Sequence, residues 1–525
     1  MAGTIHDPIT ASVIQAGLAA AADEMFAVLK KTAMSPIIYE VLDVGTGVTD
    51  RHGNLVSSGA GIPSFVGMLD KAVFRIIEIH GLDNIRDGDC FITNDPAYGG
   101  VTHLNDVIVA QPVFAEGRCI AWATSVGHWN DVGGKTPGSM AVDVTEVFQE
   151  GLRLPAVKLF EDGKPIRSVF DIITTNSRLP DFVEGDLWSQ VAAGRKAEAR
   201  IRQLVATYGL PAYEAALEAL FAEGERRALA GLKALPKGTF RVQEEQDDGA
   251  VWHATITITD EKFVVDVSDA PAQRAAPYNT ARDGTVIVCQ TLFKGLTDPT
   301  LFANAGSFRP LEVITTPGTI FDVQGTAPHG YYFETRMRLY DMLCQRMAEL
   351  MPNEQPAGHF ASICGTVLAG LHPDTGRRFT MVEPQMGGWG ATSTRDGLDA
   401  MYSTGHGDTF NCPVEICEAR YGIDVGYRRL NELTDETSLH KGGRGLSASL
   451  RPRSRTVLSA GYSRNRIPAW GSAGGESGGT NSISVVRQDG KREDYSFVSG
   501  CVVEPGDEIL IHTGNGGGWG RAQAS

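Results

Sequence analysis

Long hydrophobic runs are scarce in this chain of 525 residues. The longest apolar windows read as strand-sized, so no membrane-spanning segment is expected. Basic charge is also in deficit. The 47 Lys and Arg face 63 Asp and Glu, a formal net charge of −16, whereas a nucleic-acid binder needs the opposite balance to contact phosphates. The N-terminus, MAGTIHDPIT, lacks the basic stretch and apolar core of a secretory signal. Cysteine is sparse and scattered. The nearest pair, Cys412 and Cys417, lacks the two-residue spacing of zinc and redox motifs. Reduced structural thiols in a cytoplasmic protein are the expectation. A nucleotide loop is missing as well. GHWNDVGGKT (127–136) ends like a P-loop, but the required glycine five residues before Gly134 is Trp129. GNGGGWG (514–520) has no helix after it to complete a phosphate cradle.

Glycine is in excess, at 61 residues of 525 against a usual share of about 7%. It clusters in short doublets such as Gly99-Gly100, Gly133-Gly134, Gly387-Gly388 and Gly442-Gly443, which points to a β-rich scaffold with many tight turns. The length suits two or three subdomains. Apolar spacing predicts amphipathic helices over 12–32 and 64–80. Two long helical patterns, 187–208 and 211–235, flank a Gly209-Leu210 break and read as a helical hairpin. From Gly238 to Val267 the period switches to two, a β-meander, and 331–351 returns to helix before Pro352. The expected class is therefore α+β. Residues 1–185 hold hairpins with N-terminal helices and 186–236 the helical hairpin. Residues 237–440 form a mixed α/β lobe and 441–525 a Gly-rich β lobe.

The chemistry concentrates in TNDPAYGGVTHLNDVIVAQPVFAEGRCIAWATSVGHWNDVGG (93–134). Val107–Phe114 and Cys119–Val126 are apolar runs of strand length, and Ala115–Arg118 is a turn between them. Folding about that turn sets Asp106 opposite Gly127, beside His128, with His103 one short loop further out. Two imidazoles and a carboxylate thus converge at the open end of one hairpin, as a metal site or an acid/base site requires. Nitrogen and oxygen donors without thiolate suit zinc, manganese or iron(II). Asp43 lies among Val41, Leu42 and Val44 in a second predicted hairpin, 40–58, where a carboxylate is costly unless paired or bound to a cation. Spacing alone does not bring it to His103. Asp131 is a candidate for orienting His128. Glu415 and Glu418 follow Pro413 in a Cys-flanked loop and are candidates for positioning substrate or partner. His406 and Asp408 form another polar cluster, and Asn94 and Asp95 shape a turn before Pro96.

NDPAYGG followed by THLND, GHWNDVGG followed by PGSM (137–140), QEGLRLPAVKL (149–159), NCPVEICE (411–418) and HKGGRG (440–445) together resemble the hydantoinase B/oxoprolinase family. The likeness runs from LDVGTGVTDRHGNLV (42–56) to the Gly-rich tail. The tail reads Gly-Gly-Gly-Trp-Gly-Arg where the family has Gly-Gly-Gly-Tyr-Gly-Asp-Pro. The family's first Asp-Phe-Ser is replaced by Asp43-Val44-Gly45. The resemblance implies a B-type subunit that works with a hydantoinase A-type, ATP-binding subunit in a hetero-oligomer of the (αβ)2 kind. ATP with magnesium would sit in that partner and activate the carbonyl of a cyclic amide. The activated substrate would be processed at one divalent metal, zinc, manganese or iron, held here by Asp43, His103, Asp106 and His128. Asp131 and Glu415 are the expected catalytic polar groups. The favoured activity is ATP-dependent hydrolysis of a lactam or hydantoin. The alternatives are a subunit of a ketone carboxylase and a non-catalytic subunit whose metal only folds the hairpins.

Overall fold

The computed structural model describes residues 7–407 and 409–522. Its first sheet has seven antiparallel strands. Their order is Leu55–Gly61, Val44–Asp50, Arg118–His128, Asp106–Ala115, Cys90–Thr93, Val157–Glu161 and Lys164–Pro165. Helices cover both faces. Val107, Val109 and Ala123 pack with Pro8–Thr32 and Pro180–Tyr208 on one side, while Ile108, Val126 and Trp122 meet Pro63–His80 on the other. Two covered faces explain why these strands read as continuous apolar runs and not as an alternation.

The helix Pro8–Thr32 corrects one expectation. By length and composition it is apolar enough to cross a membrane, because its alanines dilute Asp23 and Glu24 without breaking the run. In this fold Ile14, Leu18, Met25 and Leu29 are fully buried against Pro180–Tyr208 and Leu55–Gly61.

The central hairpin turns through Glu116 (φ 51°) and Gly117 (φ 75°). Both are left-handed, which matches the twist of a two-residue hairpin. Pairing starts as Ala115 with Arg118 and Phe114 with Cys119, then shifts to Val113 with Ala121. Ile120 is the extra residue of a β-bulge. The slip of one moves the partner of Asp106 from Gly127 to His128.

The long helices Pro180–Tyr208 and Leu210–Ala234 follow, joined at Gly209. The meander Gly238–Glu245, Val251–Ile258 and Phe263–Asp266 gains a parallel edge strand, Leu311–Ile314, and packs on Arg282–Thr297 and Tyr332–Leu350. The first of those two helices had no clear sequence signal. Two further sheets, of four and five strands, share one core around Leu368, Tyr421, Leu450, Leu458 and Ile509. Strand pairing here runs across residue 440, since Gly365–Leu371 bonds to Thr456–Gly461.

Turns account for only part of the glycine excess. A Cβ on Gly442 would lie 1.9 Å from the Gly516 carbonyl oxygen, and one on Gly388 2.1 Å from that of Gly443. Those loops stack backbone on backbone, which only glycine permits.

Candidate functional site

Asp106 begins its strand and His128 ends the strand beside it, so the pairing itself sets the two side by side. The buried amide of Gln190 ties this mouth together. Its Nε2 donates to the Val107 carbonyl at 2.8 Å, and its Oε1 accepts from Trp129 Nε1 at 3.0 Å. His103 lies in the loop before the strand, with Nε2 3.2 Å from Asp106 Oδ1. Its Nδ1 is 3.0 Å from the Gly330 carbonyl oxygen. A carbonyl at Nδ1 selects the tautomer that carries its proton there and leaves Nε2 for the cluster. One donor atom from each of His103, Asp106 and His128 lies within 4.8 Å of the others.

Asp43 stands just before the neighbouring strand. Left-handed Leu42 (φ 65°) precedes it, and the Asp43 carbonyl accepts from the His128 amide at 3.0 Å. Its side chain lines the same cavity of about 40 Å³ as the three donors but is not part of their tight triad. The predicted strand 40–49 thus starts later, at Val44, because Pro36–Tyr39 is a helical turn.

Burial dominates the electrostatics. It drives the Asp43 carboxyl well above its ordinary range, helped by the charge of Asp106. Burial also pushes Asp106 upward, but the charge and hydrogen bond of His103 outweigh it and leave Asp106 lowered. His103 is raised because Asp106 overcomes its desolvation. Burial, then His103, brings His128 down to about 3.

The donor set fits a divalent cation. Asp43 Oδ1 and His128 Nδ1 are buried without a hydrogen-bond partner, and Asp106 Oδ1 has only His103 Nε2, at 3.2 Å, beside it. Each such atom costs about 1–3 kcal/mol if nothing else satisfies it. The other Asp106 oxygen is held by hydroxyls, accepting from Thr102 Oγ1 and, at 3.4 Å, from the Tyr332 hydroxyl.

The support for His103 comes from a residue given no role in the sequence. Glu150 Oε1 accepts the backbone N–H of His329 at 2.9 Å and of Gly330 at 2.6 Å, fixing the carbonyl that His103 meets. Burial raises Glu150 to about 7 despite those two donors. The expected hydrogen bond from Asp131 to His128 is not formed. Asp131 accepts instead from Gly133 N, Gly138 N, Arg178 N and Arg178 Nη1, all at 2.9–3.0 Å. It clamps the loop 131–138 because the chain has left the sheet by that point.

Glu415 is also displaced from its expected place. It is exposed in the first turn of a helix, Val414–Tyr421, and not in a loop. Glu418 accepts from the Val425 amide at 3.3 Å. The carboxylate that does reach the cavity from this side is Glu383, which accepts from Cys412 N at 2.7 Å and Arg428 Nη2 at 3.1 Å. His406 lines the cavity with its Nε2 unpartnered; Asp408 lies outside the described residues. Asn94 bonds the Leu104 and Leu152 carbonyls, and Asp95 caps Ala97 and pairs with Arg153. Tyr332, Phe333 and Arg336 complete the wall. Their signal was the run HGYYFETR (329–336) at the start of a helix.

The fold and site define a large mixed α/β chain with a buried histidine–carboxylate cluster at a hairpin mouth. The chain belongs to the hydantoinase B/oxoprolinase family, whose pattern matches residues 7–522. It is 27% identical to the beta chain of caprolactamase from Pseudomonas jessenii, over 98% of this chain and 91% of that one. It is 28% identical to a chain of Pseudomonas sp. strain NS671 provisionally named as the B component of a D-/L-hydantoinase, over 91% and 84%. Among solved structures, the ATP-dependent caprolactamase from Pseudomonas jessenii superposes with a TM-score of 0.90 at 25% identity, over 98% of this chain and 91% of that one. Nucleotide-free acetone carboxylase superposes at 0.88 with 19% identity, over 98% and 76%, a likeness of fold.

Proposed function

We propose that this chain is the metal-holding B-type subunit of an ATP-dependent cyclic-amide hydrolase. It would act on a lactam or hydantoin whose carbonyl oxygen has been phosphorylated in a separate A-type, ATP-binding subunit, in an assembly of two chains of each kind. The observation that carries this reading is the buried His103–Asp106–His128 cluster, with its unpartnered His128 Nδ1, inside a fold shared with a caprolactamase.

Ring amides are poor electrophiles, and phosphorylation of the carbonyl oxygen supplies a leaving group. His103 through Nε2, His128 and Asp106 would hold a zinc, manganese or iron(II) ion, with Asp43 as a further oxygen donor. Such an ion supplies Lewis acidity to a carbonyl or phosphoryl oxygen. The remaining residues prepare the setting. Glu150, through Gly330, fixes the plane of His103. Thr102 and Tyr332 hold one Asp106 oxygen, so that the other faces the cluster. Phe65, Met140, Phe333, Ile363 and Val382 wall the cavity with apolar surface, which keeps bulk water from a reactive intermediate. His406, held neutral by burial at about 3, also lines the cavity, with its Nε2 unpartnered.

The test is reconstitution with the A-type partner. The complex is supplied with ATP and, separately, caprolactam, hydantoin, 5-oxoproline, or acetone with bicarbonate. Ring opening coupled to ATP consumption supports the proposal. A carboxylated ketone product would replace it with the carboxylase reading. ATP turnover by this chain alone would refute the division of labour.

A further inference from the structure

The helix Tyr332–Leu350 brings one fully buried guanidinium to the cavity wall. Arg336 is 2% exposed, and its Nε has no hydrogen-bond partner. Among the described residues no carboxylate lies within 4.0 Å of it. Its close company is the face of Tyr332, 5.5 Å from the guanidinium carbon. The same fold treats its other deeply buried arginines differently. Arg464 sits on Asp341, and Arg338 on Glu244 at 2.7 Å. A buried cation without a paired anion is costly, and this one faces open space.

We infer that Arg336 is the oxyanion-recognising group of the site, taking a carboxylate- or phosphate-type head of the ligand beside the metal cluster. The inference rests on the metal reading given above. With a divalent cation held by Asp43 and Asp106, those two negative charges are balanced, and the guanidinium is left without a counter-charge. One anion restores neutrality. The size of the space agrees. About 40 Å³ accommodates a few waters, enough for a small oxyanion head beside the guanidinium. The planar fork of Arg presents two parallel N–H donors to such a head, which Lys cannot do. Phe333 and Ile363 on the wall lower the local polarity and strengthen the attraction.

The experiment is calorimetric titration of the metal-loaded chain with inorganic phosphate and, separately, with acetate, and measures metal content in every sample. The same titrations are run on Arg336→Met and Arg336→Lys. Wild type binds at least one of the two anions, and the preferred one separates a phosphoryl source from a carboxylate source. Arg336→Met loses affinity on the order of tenfold to a hundredfold, as expected for hydrogen bonds to a charged group. It keeps its metal, and Arg336→Lys recovers part of the loss. If Arg336→Met does not fold, Arg336→Lys must still bind the anion measurably more weakly than wild type. Equal anion affinity in wild type and the folded variants, or no anion binding by metal-loaded wild type, overturns the oxyanion role and leaves the metal site standing. A wild-type chain that takes up no metal overturns the metal reading, and this inference with it.

Discussion

Glu150→Ala separates the support of His103 from the general integrity of the fold. The substitution leaves two buried N–H groups, those of His329 and Gly330, without the carboxylate that accepts them at 2.9 and 2.6 Å. Each costs about 1–3 kcal/mol unsatisfied, so the variant loses roughly 2–6 kcal/mol unless the segment moves to reach water. If it moves, the Gly330 carbonyl leaves His103 Nδ1, 3.0 Å away, and the imidazole is no longer held in plane. Loss of such outer support lowers metal affinity by about tenfold to a hundredfold. Glu150→Gln keeps one acceptor oxygen for the Gly330 amide and falls between the two. The assay is chelator competition with zinc and with manganese, alongside urea unfolding. The control is Asp131→Ala, which removes four hydrogen bonds from the loop 131–138 and Arg178 but none from a histidine of the cluster. It should lose stability and keep wild-type metal affinity. A destabilised Glu150→Ala protein with undiminished affinity would show that the Gly330 carbonyl does not set His103. A metal-free Asp131→Ala protein would return Asp131 to the role of orienting His128.

Three other outcomes are expected. Elemental analysis of purified protein finds about one divalent ion per chain, and His103→Ala and His128→Ala each lose most of it; unchanged content in both would remove the cluster from consideration as a metal site. Asp186 is held by burial at about 6, above its ordinary 3.8, against the N–H groups of Met34 and Ser35 that favour its charged form. A carboxyl raised on folding gives stability that is fully present below its unfolded value and lost as pH rises through about 6. The loss is about 3 kcal/mol by pH 7, and Asp186→Asn, which keeps an acceptor oxygen for those amides, should abolish this slope in melting temperature between pH 4 and 7. Gly442→Ala should cost about 1–3 kcal/mol or more, since its Cβ would meet the Gly516 backbone, whereas Gly295→Ala, in a helix with nothing within 4 Å, should stabilise by up to about 1 kcal/mol; differential scanning fluorimetry of the pair decides it.

What the sequence discloses follows the range of its signals. The central hairpin is legible because its strands are apolar and Glu116-Gly117 marks the turn. The bulge at Ile120 is not, because Cys119, Ile120 and Ala121 are all buried and pattern alone does not say which one is extra. That single slip decides whether Asp106 faces Gly127 or His128. Asp43 needed the family resemblance, since its approach depends on pairing between Val44–Asp50 and Arg118–His128, over seventy residues apart in the chain. Asp131 misled by being three residues from His128, a spacing that implies neighbours within a helix but not past the end of a strand. Glu415 misled because Pro413 reads as a loop marker, yet it stands as the N-cap of Val414–Tyr421. Arg336 was masked by its own helix, since Met337, Leu339, Met342 and Leu343 make that segment look like ordinary core.

The position of the cavity explains why so large a chain surrounds so small a site. His103, Asp106, His128 and Asp43 come from the ends of the first sheet. Phe65 comes from the helix on that sheet's outer face, and Arg336 and Phe333 from a helix that packs on the second sheet. Ile363, Val382, Glu383 and His406 come from the strands and loops of the C-terminal lobe. Ser64 reinforces the junction, its amide donating to the Gly405 carbonyl at 3.3 Å, next to His406. The first sheet thus carries the four candidate ligands, while Arg336 and three of the five apolar wall residues, Phe333, Ile363 and Val382, are brought by the other two lobes. A segment cut at residue 185 would keep all four candidate ligands and lose Arg336, Glu383, His406 and the Gly330 carbonyl. The two roles proposed above, holding a cation and handling a reactive ligand, therefore fall to separate stretches of sequence that only the packing of the lobes brings together.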